Sequence, residues 1–120
     1  MSMYSFERLE VWKDSKSLVV DIYRLSKGFP SEEKYGLTSQ IRRAAISVSS
    51  NIAEGSSRNT AKDQAYFYTM AYSSLMELLS QFLIAVDLKL ITENELAEVR
   101  PQIEKVSNKL NALRNSASNR

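Results

Sequence analysis

Two adjacent arginines, Arg42 and Arg43, open the stretch IRRAAISVSSNIAEGSSRNT at Ile41–Thr60, and Arg58 and Lys62 follow at its far end. Guanidinium and ammonium groups recognise phosphate, so these four are the candidate contacts to a nucleic acid. Arg42 and Arg43 have an equally simple use inside the protein, pairing with Glu54 or Glu77, and both readings stay open at this point. Between them lies a second pattern. Gln40, Ser47, Asn51 and Glu54 step along one side of a helix beside the apolar stripe Leu37, Ile41, Ala45, Val48 and Ile52. A solvated face would carry long Lys and Glu side chains. Small hydroxyl and amide groups instead let another helix approach closely and hydrogen-bond across the contact, so this seam is the candidate subunit interface.

Other chemistry finds little support. The 120 residues contain no histidine and no cysteine, which removes the commonest general base, the commonest metal ligand and every thiol. The acids are scattered, no cofactor or metal motif occurs, and Gly55 alone is not a phosphate loop. A serine nucleophile would need Lys, Asp or Glu as its base, and nothing assembles one. The expectation is a protein that is not an enzyme.

Charge is distributed in blocks. Residues 34–62 carry Lys34, Arg42, Arg43, Arg58 and Lys62 against Glu54 alone, whereas residues 63–99 set six acids against Lys89. Such blocks attract polyanions locally or pair oppositely charged helices. The start, MSMYSFERLEVWKD, lacks the layout of a secretory signal, and no apolar run looks long enough to span a membrane. A soluble cytoplasmic protein without membrane partners is expected.

The elements that must position these groups are helices. Three glycines and two prolines leave little room for a turn-rich sheet protein. Apolar residues recur at helical spacing in four segments, about Leu9–Lys27, Glu32–Glu54, Ala61–Leu88 and Glu93–Asn115. Ser31 can cap the second segment, Thr60 with Asp63 the third, and Thr92 with Glu95 the fourth. Gly55 suits a left-handed stop for the second helix. Pro101 should bend the fourth helix or delay its start. Tyr66, Phe67, Tyr68 and Tyr72 cluster in the third segment. Packing explains the last three better than base stacking does, with Tyr66 the exposed exception and Trp12 on the apolar face of the first helix. The expected fold is all-α: a single domain over 1–120, an antiparallel up-and-down four-helix bundle.

The long motif YGLTSQIRRAAISVSSNIAEGSSR at 35–58, with FERLEVWKDS at 6–15, GFP at 28–30 and AYSSLMELLSQFLIAVDLKLI at 71–91, resembles the four-helix-bundle proteins encoded within intervening sequences of 23S ribosomal RNA genes. More distantly the chain is similar to the accessory variability determinant of diversity-generating retroelements. The resemblance implies a ring-shaped homopentamer. By analogy with the retroelement relative, it also implies a basic surface that engages RNA or DNA, and a reverse transcriptase as partner. The family usually has glycine near Ser73 and again near Lys89, and this chain departs from it at both. The leading expectation is an oligomeric bundle that binds nucleic acid through Arg42, Arg43, Arg58 and Lys62. The alternative is an oligomeric scaffold that recruits a protein and touches no nucleic acid.

Overall fold

The computed structural model describes residues 4–118. Among them are four α-helices, α1 (Glu10–Ser26), α2 (Leu37–Ser56), α3 (Ala61–Asp87) and α4 (Glu93–Ser118), with short 3-10 turns at Ser5–Arg8 and Ser31–Glu33 and no strand. Each helix packs against its neighbours in sequence, and α4 closes on α1. The result is the four-helix bundle expected from the periodicity, with extents of 45 × 28 × 23 Å. The domain expectation at 1–3 and 119–120 lies outside the described residues.

The core follows the apolar stripes. Leu18, Ile22, Ile41, Val48, Ile52, Leu75, Leu78, Phe82, Ile103, Val106 and Leu110 are almost completely buried, each stabilising the fold by roughly 1.5–3 kcal/mol relative to exposure for the larger side chains. Ala44 and Ala45 are both buried. Small residues line both flanks of α2 for a visible reason. Ser15 Oγ of α1 lies 2.9 Å from Ser49 Oγ, and Ser74 Oγ of α3 lies 2.9 Å from Ser47 Oγ. Helix α2 is thus pinned between two partners by serine pairs.

Cap chemistry works at two starts. Thr60 Oγ1 accepts from the Asp63 amide at 3.1 Å. Thr92 and Glu95 form the reciprocal box, at 2.9 and 3.1 Å. Other expectations need correction. Helix α2 begins at Leu37 rather than near Glu32, because the chain first makes the 3-10 turn after Pro30, and Ser31 makes no side-chain cap. Glu33 Oε1 instead accepts the Leu37 amide at 3.2 Å. Gly55 is not a left-handed stop; it lies inside α2, with no positive φ. A Cβ there would sit 2.7 Å from Tyr68 Cε1 and 3.2 Å from Phe67 Cβ, so Gly55 is a point where α2 packs too closely on α3 to admit a side chain. Pro101 does not delay α4, which starts at Glu93 and runs through it; Pro101 is on the exposed side.

The left-handed stop is at the end of α3. Lys89 has φ 61, and the Lys89 amide donates to Val86 O at 2.9 Å while Leu90 donates to Ala85 O at 2.9 Å. These two bonds form the Schellman closure that a glycine normally serves. Finally, α3 overturns one reading of composition. It spans 27 residues and is apolar enough by length and composition to cross a membrane, and 28% of its most apolar window is buried within the chain. Its apolar content serves two faces: the core stripe, and an outward stripe of two exposed apolar pairs, Tyr66 with Met70 and Ile84 with the C-cap Leu88, separated by the exposed Ser73, Glu77 and Ser80.

Candidate nucleic-acid interface

The outer seam between α1 and α2 carries three open depressions that follow one another, each sharing lining residues with the next, and together they make up the grooved face of the seam. The first, of about 550 Å³, is bordered by Tyr23, Lys34, Tyr35, Thr38, Arg42 and Arg43 and reaches Ile46. The second, of about 270 Å³, continues from Ile46 past Trp12 and Lys16 to Ser50 and Ala53. The third, of about 680 Å³, takes over at Ser50 and Ala53 and ends against Tyr4, Phe6 and Arg58. Helical periodicity is the cause: Trp12, Lys16, Val19 and Tyr23 step along one side of α1 toward the flank of α2 that carries Arg42, Ile46, Ser49 and Ala53.

Cations dominate the lining. Lys16, Lys34, Arg42, Arg43 and Arg58 all border the groove, with Glu54 as the one carboxylate among the described residues that line it. Four of these five cations rest on aromatic rings, three of them on rings that line the groove: Lys16 is 5.1 Å from the Trp12 ring centre, Lys34 is 5.5 Å from Tyr35 and Arg42 is 4.5 Å from Tyr23. Each such interaction is worth about 0.5–1 kcal/mol at an exposed site. Arg42 is oriented further, donating from Nε to Ser26 Oγ at 2.7 Å and from Nη2 to Tyr23 O at 3.4 Å. Its charge faces no carboxylate in these contacts. Arg43 donates to Gln40 Oε1 at 2.7 Å and lies 3.8 Å from Glu77 of α3, in an exposed pair. Of the two internal uses open in the sequence, Arg43 therefore takes the Glu77 pair and Arg42 takes neither.

Arg58 forms a 2.8 Å ion pair with Glu54 and lies 4.5 Å from the Phe67 ring centre. Lys62 is exposed at the start of α3 and does not line the groove. The basic set thus divides, with Arg42, Arg43 and Arg58 bordering the groove and Lys62 beyond its end. The seam residues are partly spent inside the chain: Ser47 on Ser74, and Asn51 on Ser47, whose carbonyl and hydroxyl it reaches at 2.9 and 3.1 Å. Gln40 and Glu54 remain exposed beside the two arginines they bind.

Sequence reasoning missed Lys16, Lys34 and Tyr35 as site residues, and placed Trp12 only as packing. Trp12 is half-buried against the core and meets Phe6 edge-on at 5.0 Å, yet it also borders the groove. The signal available was the helical step from Trp12 to Tyr23. The rest needed the α1–α2 pairing.

A second charged cluster sits on the opposite flank of α1. Lys109 Nζ donates to Asp14 Oδ2 at 2.6 Å and to Glu10 Oε1 at 2.9 Å, and Lys105 lies 3.3 Å from Asp14 Oδ1. Burial alone would raise the Asp14 carboxyl, but Lys109 and Lys105 outweigh it and hold it below its ordinary value of 3.8. Asp14, then Glu10, raise Lys109 above 10.5. This cluster clasps α4 to α1. Among the described residues, no group of three or more His, Cys, Asp or Glu side chains comes together to hold a metal ion.

The family model for the 23S rRNA-intervening sequence protein matches residues 7–112. The chain belongs to that family. The match takes in all of α1, α2 and α3 and most of α4, so the groove residues from Trp12 to Arg58 fall within it, while Tyr4 and Phe6 at the groove's end precede it. No curated protein matches the chain.

Proposed function

We propose that this member of the family is a non-enzymatic, oligomeric bundle that binds nucleic acid along the α1–α2 groove. One observation carries the reading: five cationic side chains border this run of depressions, and Glu54, the one carboxylate among the described residues that line it, is already paired with Arg58. Phosphate binding requires cations that are not neutralised internally, and Arg42, Lys16 and Lys34 rest on rings rather than on carboxylates. Self-association would repeat the groove around the assembly and turn a modest subunit charge into a multivalent surface. The exposed apolar pairs at the two ends of the outward α3 stripe, Tyr66 with Met70 and Ile84 with Leu88, support such assembly, because they offer apolar area that a subunit contact would remove from water. The homopentamer implied by the family resemblance is the proposed state, with Gln40 and the Arg43–Glu77 pair at the edge of the contact.

The test is RNA binding at several salt concentrations by the protein and by a Lys34→Gln, Arg43→Gln variant. The variant should bind more weakly and with a shallower salt dependence, by roughly one unit of slope for each phosphate it no longer neutralises. Unchanged affinity and slope would leave the groove without a phosphate role. The same α3 stripe favours the second reading, a scaffold that recruits a protein partner; its binding would respond little to salt.

A further inference from the structure

We infer that the groove takes single-stranded RNA in particular, stacking its bases on the ring faces of the α1–α2 seam; this rests on the nucleic-acid reading above. Charge alone would suit a duplex as well as a single strand. The rings are what distinguish them. Bases in a duplex are stacked on one another and cannot offer their faces, whereas unpaired bases stack on aromatic rings and on guanidinium planes.

Tyr35 is the most accessible platform, 88% exposed in the turn before α2, and Lys34 lies over it with an ammonium free to move to the neighbouring phosphate. Next along the groove, the Arg42 guanidinium lies on Tyr23, and a planar guanidinium is itself a surface on which an unpaired base stacks. Trp12 with Lys16 repeats the arrangement on α1, about 16 Å from Tyr23 at 1.5 Å per residue. Cation and ring thus alternate along the seam, as phosphate and base alternate along a single strand.

A separate observation points to the ribose. Thr38 borders the same depression as Tyr23 and Tyr35, is only 9% exposed, and its hydroxyl has no hydrogen-bond partner among the described residues. A buried hydroxyl without a partner is costly to keep. Thr38 lines the depression, so a χ1 change that exposed its hydroxyl there would let it meet a 2′-hydroxyl, which both donates and accepts. DNA has no such group, so the occupant assigned here is RNA.

The experiment uses the intact protein and a labelled, unstructured RNA of about 15 nucleotides, within the range of known single-strand sites, together with its duplex and the DNA of the same sequence. A 2-aminopurine base in the RNA reports stacking directly. The expected result is tighter binding of single-stranded RNA than of duplex, with quenching of 2-aminopurine. Tyr35→Ala should weaken single-strand binding roughly 5- to 100-fold, as removal of one stacking platform does, and reduce the quenching, with helicity and sedimentation unchanged. Thr38→Val should keep the fold and narrow the preference for RNA over DNA. Equal binding of duplex and single strand, with Tyr35→Ala neutral, overturns this inference and leaves the basic-surface reading standing. Failure to bind any of the three probes overturns both. Equal affinity for RNA and DNA overturns the ribose assignment. A Tyr35→Ala variant that changes oligomer size instead of RNA affinity assigns the groove to a second copy of the chain, which also overturns it.

Discussion

Replacing Gly55 with alanine pits helix propensity against packing, and the structure decides the sign. Alanine in a helix interior is favoured over glycine by roughly 1 kcal/mol, so at an open helical position the substitution would stabilise. At Gly55 the new Cβ would lie 2.7 and 2.9 Å from two carbons of the Tyr68 ring and 3.2 Å from Phe67 Cβ. Tyr68 is buried, so its ring cannot swing into solvent without losing its packing, while Phe67 Cβ is one bond from the α3 backbone. Relief therefore requires α2 and α3 to separate, and overpacking of this kind costs about 1–3 kcal/mol. The expected net effect of Gly55→Ala is a destabilisation of about 1 kcal/mol, with larger side chains costing more. Urea unfolding at fixed protein concentration measures it, as a lowered midpoint with an unchanged slope. Gly28→Ala is the control: its nearest neighbour would be Leu25 O at 3.7 Å, and its effect should stay within about 0.5 kcal/mol. A Gly55→Ala protein as stable as its parent, or more so, would refute the close-crossing account of this glycine.

Further outcomes follow from the same geometry. Lys89→Gly should raise stability by about 0.5–1 kcal/mol in a thermal or urea melt, because it relieves the left-handed strain at φ 61 at some cost in unfolded-chain entropy; a drop in stability would mean the lysine side chain outweighs the strain. Asp14→Asn should alter the acid limb of the stability profile. The folded Asp14 carboxyl lies below 3.8, so its contribution is present above that value and fades as pH falls through the folded one. The gap between parent and variant in urea titrations should therefore close in acid, and a gap independent of pH would count against the clasp. Lys109, raised above 10.5, contributes fully below that value and loses its share only as pH climbs through the folded one. Met70→Glu with Ile84→Glu should shift sedimentation equilibrium toward the 13.6 kDa chain; an unchanged assembly would move the subunit contact off the outward α3 face.

Much of the bundle was legible in the sequence because helix signals are local. The 3.6-residue period of Leu96, Val99, Ile103, Val106 and Leu110, and the Thr92–Glu95 box, each lie within a few turns of one another. Gly55 was misread for the complementary reason. A glycine near the end of a helix looks the same in sequence whether its backbone must turn left-handed or a neighbour's ring must come close, and the Tyr68 contact is tertiary. Lys89 shows the converse, a strained position hidden because a long side chain occupies it. The groove was half legible. Arg42, Arg43 and Arg58 stood out as a basic block, but Trp12 and Lys16 lie on another helix, and only the pairing of α1 with α2 joins them. The small residues of the Ser47 and Asn51 seam invite close approach of another helix, read in the sequence as one from a second subunit. Sequence could not say that α3 of the same chain makes that approach, through Ser74.

The clasp between α1 and α4 also bears on the order in which the chain folds. Helices α2 and α3 are joined by the short loop Ser57–Thr60 and share the most extensive contact in the bundle, so their hairpin closes at small entropic cost. Asp14 and Lys109 meet across 95 residues, and the α1–α4 seam can close only after the intervening helices are in place. Interactions formed after the rate-limiting barrier leave the refolding rate alone and govern escape from the native state. The clasp then acts as a latch on the finished bundle. Breaking it should hasten unfolding in stopped-flow experiments with little change in refolding, whereas a change at the Gly55 crossing should slow refolding itself.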